Sequence, residues 1–288
     1  MKRIAILGCE NTHANSFIKF IKEKEEFNDV EVLGVYSDDT AAAEKLNETF
    51  GVPVMKSYDE LVGKIDGVII TARHGDNHYK YAKPYLDSGI PMFIDKPITV
   101  TEEDVIAFMK DIKEKDIRVC GGSSLKHDSF IAELKKERLE DGEKTLGGYV
   151  RAPYSKENDY GNFYFYAQHL VEMVCEVFGR FPKTVKATET DENITVVFHY
   201  DDFDAVGLFC NKNYRYFASR ISTSKSTAYT IPDSSDWFYR EFKEYHELLL
   251  GAPQTVTLEE LASPVFIMNA IQRSLKNGTE EAVKVLEI

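Results

Sequence analysis

The stretch DGVIITARHGDNHYKYAKPYLDSGIPMFIDKP, Asp66 to Pro97, decides the fold. DGVIIT is short and apolar on both alternating faces, the pattern of a fully buried strand. HYKYAKPYLDSG reads as a helix closed by Gly89, and PMFID, from Pro91, as the next strand. A strand, a helix and a second strand in this order form a right-handed βαβ unit with parallel pairing.

The alternation extends outward on both sides. Upstream, KRIAILG from Lys2 and VEVLGVYS from Val30 are strands. Between them lies a helix with Phe17, Phe20 and Ile21 on one face. AAAEKLNETFG is a helix stopped by Gly51, followed by VPVM and a short helix from Tyr58 to Val62. Downstream, TEEDVIAFMKDIKEKD opens on a Thr cap with acids in its first turn and ends basic, as the helix dipole favours. IRVCGG closes the set. This half is doubly wound α/β with a parallel, Rossmann-type sheet.

After residue 120 the pattern changes. A charged helix runs from Ser129 to about Glu140, then GYVRAPY is a strand and FYAQHLVEMVCEVFG, from Phe165, a strongly apolar helix. TVKATET, ITVVFHY, AVGLFCN and YRYFASRISTS follow as closely spaced strands, which implies a mainly antiparallel open sheet in an α+β domain. Two helices, Trp237 to Leu250 and Leu258 to Lys276, end the chain. The expected division is 1–120, binding a dinucleotide, and 121–288, binding substrate and pairing in a dimer. The length of 288 residues agrees with two domains at about 150 residues each.

Composition narrows the function. Hydrophobic residues are 43% and charged residues 29%, which excludes wholesale disorder. Lys and Arg total 35 against 48 Asp and Glu, a net charge of −13, so nucleic acid and anionic membranes are poor partners. No apolar run reaches the 18 or so residues of a membrane span. MKRIAILGCENTH is too briefly apolar for a signal peptide and reads as a first strand. Cys9, Cys120, Cys175 and Cys210 form no C-x-x-C pair, which suits a reducing cytoplasm.

The first strand-turn-helix is where a dinucleotide pyrophosphate would meet helix N–H groups. The G-x-G-x-x-G pattern needs glycines at 8, 10 and 13, and the chain has Gly8, Glu10 and His13. Asn11 and Thr12 offer donors, while Glu10 brings a carboxylate toward the phosphates. The other reading of this stretch is a plain βα turn. After the second strand, Ser37 and Asp38 stand where an acid would bond the ribose hydroxyls of NAD; no Arg follows to hold a 2′-phosphate.

The set Thr71, Ala72 and His78, followed by Asp95, Lys96 and Pro97, resembles the Gfo/Idh/MocA oxidoreductase family, whose hallmarks are T-P-x-x-x-H and E-K-P. ELASPVFIMNAIQRSLKNGTEEAV, from Glu260, resembles that family's closing segment. The resemblance implies NAD or NADP as cofactor, with Gly8, Asn11, Thr12, His13, Ser37, Asp38, Thr71, Ala72, Arg73, His78, Asp95, Lys96 and Pro97 along it. It implies hydride transfer between the nicotinamide and a secondary alcohol of a sugar, cyclitol or similar polyol. Lys96 would relay the hydroxyl proton, since burial and a cationic ring both favour the neutral amine. The apolar helix resembles the family's D-x-G-x-H-x-x-D helix: His169 matches the His, Glu172 the trailing acid, and Phe165 replaces the Asp. Lys126, Arg151, Tyr154 and Tyr166 are the expected substrate contacts. His169 and Glu172 lack a third partner for a metal, so none is expected. The missing glycines and Phe165 keep two alternatives open: a non-catalytic nucleotide-binding regulator, and an NAD-assisted hydrolase or lyase. The exposed apolar face of VVFHY and GLFCN predicts a homodimer.

Overall fold

The computed structural model describes residues 1–232 and 236–288. Two compact units divide the chain. The first holds Met1–Gly122, Phe238–Leu261 and Ile288; the second holds Ser123–Trp237 and Ala262–Glu287. The units do not follow a single cut near residue 120, because one C-terminal helix returns to the first.

In the first unit β1 (Lys2–Leu7), β2 (Val30–Tyr36), β3 (Gly67–Ile70), β4 (Met92–Asp95) and β5 (Val119–Gly122) form a sheet in the order β2-β1-β3-β4-β5. All four pairings are parallel. Every residue of β3 and β4 is buried, as expected for strands covered on both faces. The helices are α1 (Thr12–Glu23), α2 (Thr40–Phe50), α3 (Asp76–Ala82) and α4 (Glu102–Glu114). Asn11, Asp39 and Thr101 cap α1, α2 and α4 with side-chain oxygens, satisfying N–H groups that have no intrahelical partner. Gly51 ends α2 in the left-handed region, as its position after the apolar pattern predicts. The expected helix from Tyr58 to Val62 is instead a run of turns, too short to repay helix nucleation.

In the second unit come α5 (Ser129–Glu140), β6 (Thr145–Tyr154), α6 (Phe163–Phe178), β7 (Thr184–Glu189), β8 (Asn193–His199), β9 (Asp204–Asn211), β10 (Tyr216–Ser222) and β11 (Ser226–Ile231). The helices α7 (Asp236–Leu249) and α8 (Leu258–Asn277) and the short β12 (Glu281–Ala282) end the chain. The seven-stranded sheet runs β11-β10-β6-β9-β8-β7-β12; β6 and β9 pair in parallel and the remaining pairs are antiparallel. On one face a Cβ at Gly148 would strike Phe178 and one at Gly207 would strike Leu170, so α6 lies tightly on that side.

Helix α7 returns to the first unit because its apolar stripe fits there. Phe242, Tyr245, Leu248 and Leu249 are buried in one cluster with Phe17 of α1, Phe27 and Phe93 of β4. The Phe17 and Phe242 rings are 5.1 Å apart. No helix among the described residues is long and apolar enough to cross a membrane.

Candidate functional site

The carboxyl ends of β1, β3 and β4 gather most of the residues singled out in the first unit. Gly8 follows β1 with φ of +73°, and a Cβ there would lie 2.3 Å from the Ala72 backbone nitrogen. Only glycine permits that turn and that closeness. Thr71 Oγ1 donates to the Gly8 carbonyl at 3.1 Å and its N–H donates to Leu7. His78 is fully buried, with Nδ1 2.7 Å from the Pro97 carbonyl and Nε2 2.8 Å from the Ala72 carbonyl. Burial pushes the ring down to about 4, against the two carbonyls, which favour its charged form. Thr71, Ala72 and His78, expected along the cofactor, therefore lock the ends of β1, β3 and β4 together. Both His78 nitrogens face backbone carbonyls.

Glu10 is pinned. Its Oε2 accepts from Ser37 Oγ at 2.7 Å and its Oε1 from the Arg73 N–H at 2.9 Å, tying the turn after β1 to the ends of β2 and β3. Asp38 accepts from Tyr36 Oη at 2.6 Å and Tyr81 Oη at 2.8 Å, with Lys80 3.6 Å away. The Tyr36 hydrogen bond leads in holding its carboxyl below the ordinary range. Its side chain stays 55% exposed, enough for a further acceptor contact.

Beside this lies a buried polar cluster. Asp95 ends β4 with no exposure; Oδ1 accepts the Lys96 N–H and Oδ2 accepts from Asn11 Nδ2, each at 2.7 Å. Lys96 is 4% exposed. Burial lowers its pKa, opposed by the negative charges of Asp95 and Glu241, and burial raises that of Asp95. His13 takes the place of the third glycine and points inward: Nδ1 stands 3.2 Å from Asn11 Oδ1 and 3.4 Å from Asp95 Oδ2, and Nε2 stands 3.1 Å from Glu241 Oε2. Its ring packs edge-on to Phe238 and Phe17. Burial pushes it down to about 4. His13 is thus a buried neighbour of Asp95 and Glu241.

His13, Asp95 and Glu241 bring one ligand atom each within 4.8 Å of one another. Asp95 already receives an N–H on each oxygen, from Lys96 and Asn11.

In the second unit the histidine of α6 has an unexpected companion. His169 is 7% exposed, and its Nδ1 lies 2.6 Å from Oγ of Ser123, a residue with no exposure in the turn after β5. Ser123 Oγ also accepts the Leu125 N–H at 3.2 Å. Tyr166 and Tyr216 stand 5.8 and 6.3 Å from the imidazole, and Tyr214 extends the aromatic wall at 5.5 Å from Tyr166. Glu172, the trailing acid, accepts from Gln168 at 3.1 Å and Arg180 at 3.3 Å.

Lys126 lies half-buried on the Ser123 turn and adds positive charge toward Glu176. Arg151 and Tyr154 do not join His169. Arg151 donates to Cys210 Sγ at 3.2 Å on the sheet face turned away from α6, because alternate residues of a strand point to opposite faces. Tyr154 is 1% exposed and packs against Phe163 and Phe209.

Sequence reasoning missed Glu241, Ser123, Tyr214 and Tyr216. A signal existed for Glu241: at i, i+4 and i+7 it shares a helix face with Tyr245 and Leu248, so an acid lies on an apolar stripe. Ser123 carried none, since its role depends on a histidine 46 residues away.

Residues 2–122 match the model of the GFO_IDH_MocA family, described as an oxidoreductase family with an NAD-binding Rossmann fold. Glucose-6-phosphate 3-dehydrogenase of Bacillus subtilis is 28% identical over 139 residues, covering 47% of this chain and 37% of that protein. The oxidoreductase YhhX of Escherichia coli is 26% identical over 137 residues, covering 42% of this chain and 38% of that protein. The chain thus spans about two-fifths of the length of the curated relatives it matches. Solved structures share the fold over nearly the whole chain. A scyllo-inositol dehydrogenase from Lactobacillus casei, with bound NAD(H) and scyllo-inositol, gives a TM-score of 0.85 at 15% identity, covering 98% of this chain and 99% of that one. A myo-inositol 2-dehydrogenase from Lactobacillus plantarum gives 0.83 at 15% identity, with the same coverage.

The chain's residues fit an NAD-binding role. The left-handed Gly8 turn leads into the N-terminus of α1, whose N–H groups attract phosphate, and the partly exposed Asp38 carboxylate stands after β2 as a ribose acceptor. Glu10 fits without blocking the turn because Ser37 and Arg73 hold its carboxylate.

Proposed function

We propose that the protein is an NAD-dependent oxidoreductase acting on a secondary alcohol of a sugar, cyclitol or similar polyol. The observation that carries this reading is the buried Asp95 and Lys96 pair at the carboxyl end of β4, inside a Rossmann unit of an NAD-binding family. The names of the similar dehydrogenases support the substrate class.

Asn11, Thr12, Asp38 and the N-terminus of α1 would hold the cofactor. When bound, it supplies a nicotinamide that accepts or returns a hydride. Lys96 takes the alcohol proton as the carbon is oxidised and gives it back in the reverse direction. Its burial lowers the cost of the neutral amine, and Asp95 fixes the backbone from which it extends. His169 is the second acid–base group, and the Tyr166, Tyr214 and Tyr216 rings suit the apolar faces of a sugar or cyclitol.

Nucleotide titration followed by a polyol screen tests this reading. NAD(H) binding below millimolar is expected, and Lys96→Ala is expected to keep that binding while losing about 10²- to 10⁴-fold in turnover. Turnover retained in Lys96→Ala removes lysine from the mechanism. The regulatory alternative draws on Glu10 and Phe165; cofactor binding with no absorbance change at the nicotinamide band for any polyol favours it.

The sheet face turned away from α6 carries Tyr149, Val197, Val206, Leu208, Phe217 and Ile221, all half-buried or exposed. This apolar surface supports a homodimer formed through the second unit.

A further inference from the structure

We propose that Ser123 is the positioning residue for His169, doing with a neutral hydroxyl what a carboxylate does for an acid–base histidine elsewhere. The inference rests on reading His169 as the acid–base group of the proposed oxidoreductase.

The position that would supply an Asp one turn before His169 holds Phe165, whose ring packs on Tyr160 and Tyr166 at 5.0 and 4.7 Å. The next acid along α6, Glu172, is held by Gln168 and Arg180. Ser123 meets the histidine instead, at 2.6 Å from Nδ1. Its oxygen is fixed from behind by the Leu125 N–H, so it cannot swing without losing a backbone hydrogen bond. The turn holding it, Ser124–His127, is short and packed against α6. Both members of the pair are buried, so an unmatched ring nitrogen there would be costly.

This arrangement commits Nδ1. Proton exchange with a substrate oxygen then falls to Nε2. With its hydrogen on Nδ1 and donated to Ser123 Oγ, the neutral ring carries its lone pair on Nε2 and acts as a base toward an alcohol. A serine cannot compensate the charge of the imidazolium as a carboxylate does.

Nitrogen-15 NMR of the cofactor-free protein reads the tautomer and titration of His169 directly. The wild type is expected to carry its proton on Nδ1. Ser123→Ala is expected to lose that tautomer preference and move the ring's titration, and Ser123→Thr to restore both. In turnover, Ser123→Ala is expected to lower kcat about tenfold with KM little changed, and to displace the acid limb of the pH profile. A wild-type ring protonated on Nε2 overturns the proposal even where Ser123→Ala fails to fold. An unchanged tautomer and titration in a folded Ser123→Ala overturns it as well. Unchanged turnover in His169→Asn overturns the catalytic reading of the histidine, an outcome separable from the Ser123 pairing seen by NMR.

Discussion

His13 Nε2 stands 3.1 Å from Glu241 Oε2, with both side chains buried. The other ring nitrogen faces two acceptors, Asn11 Oδ1 and Asp95 Oδ2. Asn11 is oriented by its amide bond to Asp95, so its oxygen must face His13. Nδ1 is the nitrogen placed to donate, and Nε2 then turns its lone pair toward the Glu241 carboxyl, so a proton held by that pair is expected. Such a proton removes one negative charge from a buried cluster, the direction a site away from water favours.

A charge count tests this. Glu241→Gln is expected to migrate with the wild type in native electrophoresis near neutral pH, as a proton held by the pair requires. The exposed control Glu44→Gln is expected to shift by one charge. A one-charge shift for Glu241→Gln as well would show the carboxylate ionised.

Glu10 can be neutralised without losing its contacts. In Glu10→Gln the amide oxygen still accepts from the Arg73 N–H and the amide nitrogen donates to Ser37 Oγ. Only the charge beside the α1 N-terminus disappears. Nucleotide titration is expected to show several-fold tighter binding, on the order of 1 kcal/mol. Weaker binding would assign Glu10 to holding the cofactor.

His78→Asn is expected to destabilise the first unit by about 1–3 kcal/mol in denaturant unfolding, because a buried carbonyl loses its imidazole donor. A change within about 0.5 kcal/mol would mean the carbonyl finds another donor.

Glu176 predicts an acid dependence of stability. Burial raises its pKa, but Arg180 and then Lys135 outweigh burial and leave it below 4.5. A carboxyl depressed on folding stabilises above its unfolded pKa, and the effect is lost as pH falls from about 4.5 through the folded value. Thermal unfolding across that window should show a steeper acid loss in the wild type than in Glu176→Gln. Parallel curves would assign the loss to other groups.

A solution mass tests the sheet face. A dimer is expected at micromolar concentration, and Phe217→Lys, Leu208→Lys is expected to give a monomer that still binds nucleotide. A monomeric wild type would leave the face to another partner.

The amino-acid sequence by itself determined the alternation of strands and helices, the parallel sheet of the first half and the mainly antiparallel sheet of the second. Those features are local: apolar runs, caps and glycine stops act within a few residues, and DGVIITARHGDNHYKYAKPYLDSGIPMFIDKP contains its own βαβ unit. It also marked Lys96 and His169 through the motifs around them. Tertiary structure alone decided which polar groups meet. His78 lies between two carbonyls, of Ala72 and Pro97, that only the fold brings to one ring. His13 gains meaning only from Glu241, 228 positions along the chain (241 − 13), brought to it by the apolar stripe of α7. Ser123 is one serine of many until its turn packs on α6 and sets it against His169. Side-chain hydrogen bonds between distant segments depend on how helices pack on a sheet, and no local pattern encodes that packing.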